Sequence, residues 1–353
     1  MRTPREAVNL AQGIALPVTG TTAFDRFPLG EGYEAIRLTI LATLTHGTGT
    51  TPHVLGNFAN IRNVRLLTGK NEQVCDCPGL GLYLLNYILH GTEPFYDPIL
   101  AATGAYRAVI DIPFNFPMLQ KPEDCYLDSA QYNKLSLAVD TGALTDFETT
   151  PGTETVTCAM DISILQSKAA MLNRQPIVKG MDLSKLSRPI YVPYIRHLPT
   201  QNPTTTPFIN IEISDDLYLL GIILFSEINN AGLVPYFQPG VPSHQLLNVS
   251  FGDNFVPNYM GVLPPMHFMA EAMQRMYTIS PNGGSNVTPI LNSGYGAVGI
   301  YPHFFAQPVD GQGSIRERYW TGGKSQVQIS WTAAGGANPS VDCLLFGFRK
   351  MRP

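Results

Sequence analysis

The stretch that decides the fold runs from Ala105 to Phe116, AYRAVIDIPFNF, and a variant of it, GYGAVGIYPHFF, returns from Gly294 to Phe305. Tyr106, Ala108, Val109, Pro113 and Phe116 have counterparts in Tyr295, Ala297, Val298, Pro302 and Phe305, an offset of 189 residues (295 − 106). In the first copy Tyr106, Ala108, Ile110 and Ile112 point one way and Arg107 and Asp111 the other, the period of two that a half-buried strand requires. Pro113 and Pro302 are expected to end their strands, because proline cannot donate to a sheet ladder. A strand that recurs at half the chain length predicts one β module built twice.

Working outward, the same alternation appears elsewhere. Ile36, Leu38, Ile40, Ala42 and Leu44 share one face of a strand from Tyr33 to Leu44, with Arg37, Thr39 and Thr43 opposite. Val156, Cys158, Met160, Ile162 and Ile164 alternate with Thr155, Thr157, Asp161 and Ser163. Further strands are expected over Phe24–Leu29, Ile61–Leu67 and Leu135–Val139. Leu80 to Leu89 is almost wholly apolar and follows Pro78, which predicts a short buried helix opened by proline. After Pro207 the order repeats: a strand at Phe208–Ile213, a longer one at Leu217–Ile228, and a helix after Pro264-Pro265 with Met266, Met269, Met273, Met276 and Tyr277 at helical spacing. The late strands are Val327–Trp331 and Val341–Phe348. Leu217 to Phe225 is apolar on both faces and needs cover on both. Phe24 to Pro78 spans 54 residues (78 − 24) and Phe208 to Pro264 spans 56 (264 − 208), so the landmarks recur at matching separations.

These readings divide the chain into an arm at residues 1–20, a first β domain at 21–168, a proline-rich connector at 169–206 and a second β domain at 207–353. Within the arm, Pro4 followed by Ala7, Val8, Leu10 and Ala11 suggests a short helix. In the connector Pro176, Pro189, Pro193, Pro199 and Pro203 argue against any regular element. The fold class expected is all-β: two tandem eight-stranded jelly rolls with one short helix inserted in each.

Composition narrows the function. Of 353 residues 44% are hydrophobic and only 14% charged, against about 25% charged in ordinary soluble domains. A surface so poor in charge is expected to be covered by neighbours. Gly 32 and Pro 29 supply turns for many short strands. The net charge of −4 argues against a nucleic-acid binder. The five cysteines, Cys75, Cys77, Cys125, Cys158 and Cys343, are odd in number, and the chain opens on no basic-then-apolar signal segment, so free thiols in a reducing cytosol are expected.

Motifs with chemical meaning are few. Gly294, Gly296 and Gly299 match a dinucleotide fingerprint, but that chemistry needs a strand-to-helix turn, and Pro302 follows at once. Cys75-Asp76-Cys77 has no second Cys/His pair at zinc spacing. The seven histidines show no i, i+4 pair. A glycan-cleaving sandwich would need paired carboxylates; Asp215, Asp216, Glu271 and Glu317 are available, but turns, a helix face and loops account for them. No catalytic, cofactor or metal residue is assigned, and no enzyme is expected. The charged features with the most meaning are the ends, Arg2 and Arg5 at one and Arg349, Lys350 and Arg352 at the other, which suit contact with an anionic surface.

In the apolar arm before Thr21, FDRFPLGEGYEAIRLTI at Phe24–Ile40, GNFANIRNVRLL at Gly56–Leu67, the helix after Pro78 and the duplicated order, the chain resembles the double-jelly-roll major capsid proteins of tectivirus- and corticovirus-like membrane-containing icosahedral phages, the lineage of the adenovirus hexon. The resemblance implies a homotrimer forming a pseudo-hexagonal capsomer. Such tiles contact neighbouring capsomers, penton proteins and minor capsid or membrane proteins, and pave a shell over an internal lipid vesicle. It implies a virion location, assembly in the host cytoplasm, and no sequence-specific nucleic-acid binding. Met1–Ile14 would lie at the base near the lipid, with Arg349–Arg352 facing it too. The loops Pro117–Tyr132, Val234–His244 and Ala306–Gly323 would decorate the outside or the trimer seams. The alternative is a double-jelly-roll glycan-binding protein or glycan-acting hydrolase, which would be a monomer with an acidic, aromatic-lined groove.

Overall fold

The computed structural model describes residues 5–45, 52–53, 55–69, 72–91, 94–99, 103–114, 116, 126–129, 132–148, 155–167, 190–199, 207–212, 217–227, 246–253, 261–263, 291–292, 296–297, 300–304, 326–333 and 340–351. The first half contains β1 (Arg5–Leu16), β2 (Gly20–Phe24), β3 (Gly32–Thr45), α1 (Gly56–Ala59), β4 (Ile61–Thr68), β5 (Gln73–Cys77), α2 (Gly79–His90), β6 (Gly104–Pro113), β7 (Leu127–Asp128), β8 (Leu135–Thr141) and β9 (Thr155–Ser167). The second contains β10 (Ile190–Leu198), β11 (Phe208–Glu212), β12 (Leu217–Glu227), β13 (Leu246–Asp253), β14 (Gly261–Leu263), β15 (Leu291–Asn292), β16 (Gly296–Ala297), β17 (Ile300–Phe304), β18 (Gln326–Ala333) and β19 (Ser340–Met351).

Strand order shows the duplication directly. One sheet of the first half runs β1-β9-β3-β6 and its facing sheet β2-β8-β4-β5; the second half repeats these as β17-β12-β19-β10, read from the other side, and β11-β18-β13-β14. Each half is therefore eight main strands in two four-stranded sheets. The organising strand β6 pairs with β3 along its whole length, Ile112 opposite Ile36 and Ala108 opposite Ile40. Its inward residues Ala108, Ile110 and Ile112 are fully buried. Pro113 is its last residue, and β7 takes over beside Gly32 and Tyr33 where proline ends the ladder.

The helix expected after Pro78 is α2. Pro78 stands at its N-cap in an extended conformation and every residue from Gly79 to Leu89 is buried. It ends at Gly91, whose φ of 69° is a left-handed cap that a side chain would oppose, and the Gly91 N–H donates to the Tyr87 carbonyl at 2.8 Å. α2 packs on β6 and β4 and closes the β5/β6 flank of the sandwich. The second helix, after Pro264-Pro265, lies outside the described residues, as do the loops Val234–His244 and Ala306–Gly323.

Four expectations need correction. The arm's helix is the strand β1, antiparallel to β9. Its register shifts between Asn9 and Ala11 and again between Ala11 and Ile14. Each bulge adds a residue and breaks the period of two, so Val8, Leu10, Ala11 and Ile14, which pack on the core, come to resemble helical spacing. Gly13 supplies the second bulge with φ 64°, and its N–H donates to Asp161 Oδ1 at 2.7 Å. Phe24–Leu29 is not a strand: β2 ends at Phe24, and Phe27 turns inward to meet Phe24 edge to face at 5.0 Å.

The proline-rich segment holds a regular element after all, β10, with Pro193 inside it. Pro302 likewise lies within β17 rather than ending it. β17 is an edge strand paired only with β12 among the described residues, and an edge tolerates a residue without an N–H. The strand Leu217–Glu227 has the cover that its apolar faces demand, with Leu219, Leu220, Ile222, Ile223, Leu224 and Phe225 all fully buried.

Candidate assembly surface

The two halves meet along strand edges. β5, the last strand of one sheet of the first half, runs parallel to β10, with Ile195 opposite Cys75 and Arg196 opposite Asp76. β10 in turn pairs along its full length with β19. This pairing merges a sheet of each half into one of eight strands. Aromatic packing seals the joint: Phe116, just beyond β6, lies 5.9 Å from Phe346 and 5.3 Å from Phe348, ring centre to ring centre. All three are buried, and Val192, Ile195, Leu344 and Phe346 belong to the same apolar core as the first half's α2 and β6. Cys75 and Cys77 sit in this core too, on the inward face of β5.

Strand polarity brings the start of β1 and the end of β19 to one pole. Leu16 and Gly20 are joined by three residues, so β1 and β2 meet at one pole and β1 begins, at Arg5, at the other. From Gly20 the register passes through Thr141 and β4 to β5, and on through β10 to β19, whose Arg349 and Lys350 lie at the pole opposite Gly20. Arg5 pairs with Ser167, Arg349 with Val192 and Lys350 with Tyr191. The guanidinium of Arg349 stacks over the Tyr194 ring at 4.9 Å, a cation–π contact that engages it within the sheet. Arg2 and Arg352 lie outside the described residues.

Two of the open sheet edges bear on assembly. Among the described residues β1 pairs only with β9, and β14 only with β13. An exposed edge presents unpaired N–H and C=O groups that template another strand.

No family model matches the chain, and no curated protein matches it. Solved structures do. The chain is similar to the major capsid protein of Sulfolobus Turreted Icosahedral Virus (STIV), with a TM-score of 0.66 at 11% identity over 98% of this chain and 97% of that one. It is similar to the Faustovirus major capsid protein, TM-score 0.58 and 8% identity over 100% and 91% of the two chains. A third likeness is to the major capsid protein P2 from Bacteriophage PM2, TM-score 0.51 and 10% identity over 99% and 98%. The fold is a double jelly roll.

The double jelly roll accounts for the motifs with chemical overtones. Gly296 begins the short β16 and Ile300 the strand β17, so strand, not helix, follows the glycine-rich stretch. Among the described residues no three His, Cys, Asp or Glu side chains group as metal ligands. Burial pushes the Cys75 and Cys343 thiols far up and that of Cys158 up to about 11, so none is poised as a thiolate. Asp215, Asp216, Glu271 and Glu317 lie outside the described residues.

The buried polar groups of the first roll hold loops in place. Asp146 is fully buried; Arg62 reaches it through Nε at 3.1 Å and also through Nη2, and His53 Nδ1 lies 3.1 Å from the Asp146 carbonyl. On the strands, Arg37 and Asp111 are directly opposite on β3 and β6 and form two hydrogen bonds of 2.8 Å. Arg65 grips both oxygens of Asp140 at 2.9 Å. The alternation in sequence put Arg37 and Asp111 on outward faces; only the register shows that they are partners. Sequence reasoning missed β5, β10 and β14, the strands that make the joint and the open edge, because each is short or crossed by proline.

Proposed function

We propose that this chain is the major capsid protein of an icosahedral, membrane-containing virus of the tectivirus- or corticovirus-like type. Three copies form a pseudo-hexagonal capsomer, and the capsomers tile a shell over an internal lipid vesicle, beside penton and minor proteins. The chain acts as a structural subunit of the virion, assembled in the host cytoplasm. The observation that carries this reading is the repeated eight-strand order joined edge to edge by β5 and β10, with the start of β1 and the end of β19 at one pole. A tile needs its strands upright and one pole facing the membrane. Arg5 and Lys350 belong to strands that reach that pole, and with Arg2 and Arg352, adjacent to them in sequence, they are the cations offered to anionic lipid, about 1 kcal/mol for each that engages it. The charged fraction of 14% suits a surface covered by neighbours.

The test is the solution mass of the purified protein by size exclusion with light scattering. A particle of about 116 kDa (3 × 38.6 kDa) that yields no monomer on dilution is expected. A clean monomer overturns the proposal and returns attention to glycan binding.

A further inference from the structure

The parallel joint between β5 and β10 is a junction between two copies of one module, and the chain leaves the same two module edges unused. β5 is the outer strand of the order β2-β8-β4-β5, and its counterpart in the second roll is β14 in β11-β18-β13-β14. β10 is the outer strand beside β19, and its counterpart in the first roll is β1 beside β9. Inside the chain, the β5 edge of one module receives the β10 edge of the next. Among the described residues, β14 and β1 are a second donor and a second acceptor edge, facing no strand.

We infer that β14 of one copy runs parallel to β1 of a second copy of this chain, so that the joint between chains repeats the joint within the chain. This is a head-to-tail contact, which closes into a ring when the rotation per module permits. The inference rests on the capsomer reading for its closure: three chains supply six modules, with three joints inside chains and three between them. Its position comes from the duplication. β11 repeats β2 at an offset of 188 residues at both ends (208 − 20 and 212 − 24). The strand correspondence therefore places the start of β1, around Ala7, of one copy beside β14, Gly261–Leu263, of the next. Ala7 lies in the regular start of β1, ahead of both bulges, and it is exposed within the single chain. The bulges bend the remaining half of β1 away from a regular ladder, which confines the new joint to a few residues, as the known joint is confined to Ile195 and Arg196.

The experiment pairs cysteine substitutions with the solution mass. Ala7→Cys and Leu263→Cys are combined in one full-length chain, with neighbouring versions using Glu6→Cys or Val8→Cys, and a control combining Gln12→Cys with Leu263→Cys. Each is oxidised and run without reductant, and its mass is measured by light scattering. Trimers in which at least one of the first three pairs converts most of the chain to covalent dimer and trimer bands, with the control remaining monomeric on the gel, bear out the joint. Trimers that give no ladder with any of the three, or an equal ladder with the control, overturn it while leaving the capsomer intact. A protein that is monomeric by light scattering overturns the capsomer and the joint together. Single substitutions, which lack the engineered partner thiol across the joint, are expected to give no ladder.

Discussion

Phe116, just beyond the first roll's organising strand, packs perpendicular to Phe348 of the last strand of the second, their ring centres 5.3 Å apart. With Phe346 behind it, this contact makes the two rolls share one core. Phe116→Ala is expected to cost about 3–5 kcal/mol and to loosen the joint. Calorimetry should then show the single unfolding transition of the wild type splitting in two. A variant that loses no stability would mean that the rolls are coupled by β5 and β10 alone.

Gly221 lies at the bulge of β12, where an added Cβ would stand 2.6 Å from the Phe346 ring and 2.8 Å from the His303 carbonyl oxygen. The ring is locked in the core and the oxygen belongs to a paired strand, so neither can yield cheaply. Gly221→Ala should destabilise by about 1–3 kcal/mol, read as a lower thermal midpoint. Gly30→Ala, with open space around its Cβ but φ of 109°, would lose stability through backbone strain instead.

Asp146 has its carboxyl raised above the ordinary value, chiefly because burial disfavours the charge, against the lowering influence of Arg62 and Asn60. A carboxyl raised on folding binds its proton more tightly in the folded chain. Its contribution to stability is therefore complete below the unfolded value and is lost as pH rises through the folded one. The stability of the wild type minus that of Asp146→Asn should fall as pH rises through that window, measured by urea unfolding. Asp146→Ala, which removes the acceptor of Arg62 and Asn60, is expected to cost about 1–2 kcal/mol near neutral pH.

The thiols of Cys75, Cys343 and Cys158 are pushed up by burial. Maleimide labelling at pH 8, mapped by mass spectrometry, should leave the buried Cys75 and Cys343 unmodified in the folded protein, modify the half-buried Cys158 only slowly, and modify all three in denaturant. Labelling of Cys75 in the native state would show that the β5–β10 joint opens.

For the chain ends, Arg2→Ser with Arg5→Ser should weaken binding of the assembled capsomer to vesicles containing anionic lipid. At about 1 kcal/mol per charge, each substitution is worth roughly a fivefold loss per subunit, fading at high salt. Vesicle binding indifferent to both residues would remove the arm from the membrane contact.

The sequence by itself determined what depends on neighbours along the chain. Alternation over Tyr33–Leu44, Ala105–Ile112 and Thr155–Ile164 specified β3, β6 and β9, because one buried face demands a period of two. Pro78 ahead of an apolar run specified α2. The returning stretch at Gly294 and the repeated spacings specified two copies of one module. Tertiary structure alone decided what depends on partners far away. Whether Arg5–Leu16 is helix or strand turns on β9, more than a hundred residues later, and its bulges exist only against that ladder. β10 admits Pro193 because β19 pairs its whole length while β5 meets it only at Ile195 and Arg196, and Pro302 is admitted because β17 pairs only with β12 among the described residues. The joint itself is two residue pairs between strands more than a hundred residues apart. Hydrogen bonding between strands carries no local mark in the sequence, so the periods could be read there, while the edges and what meets across them required the fold.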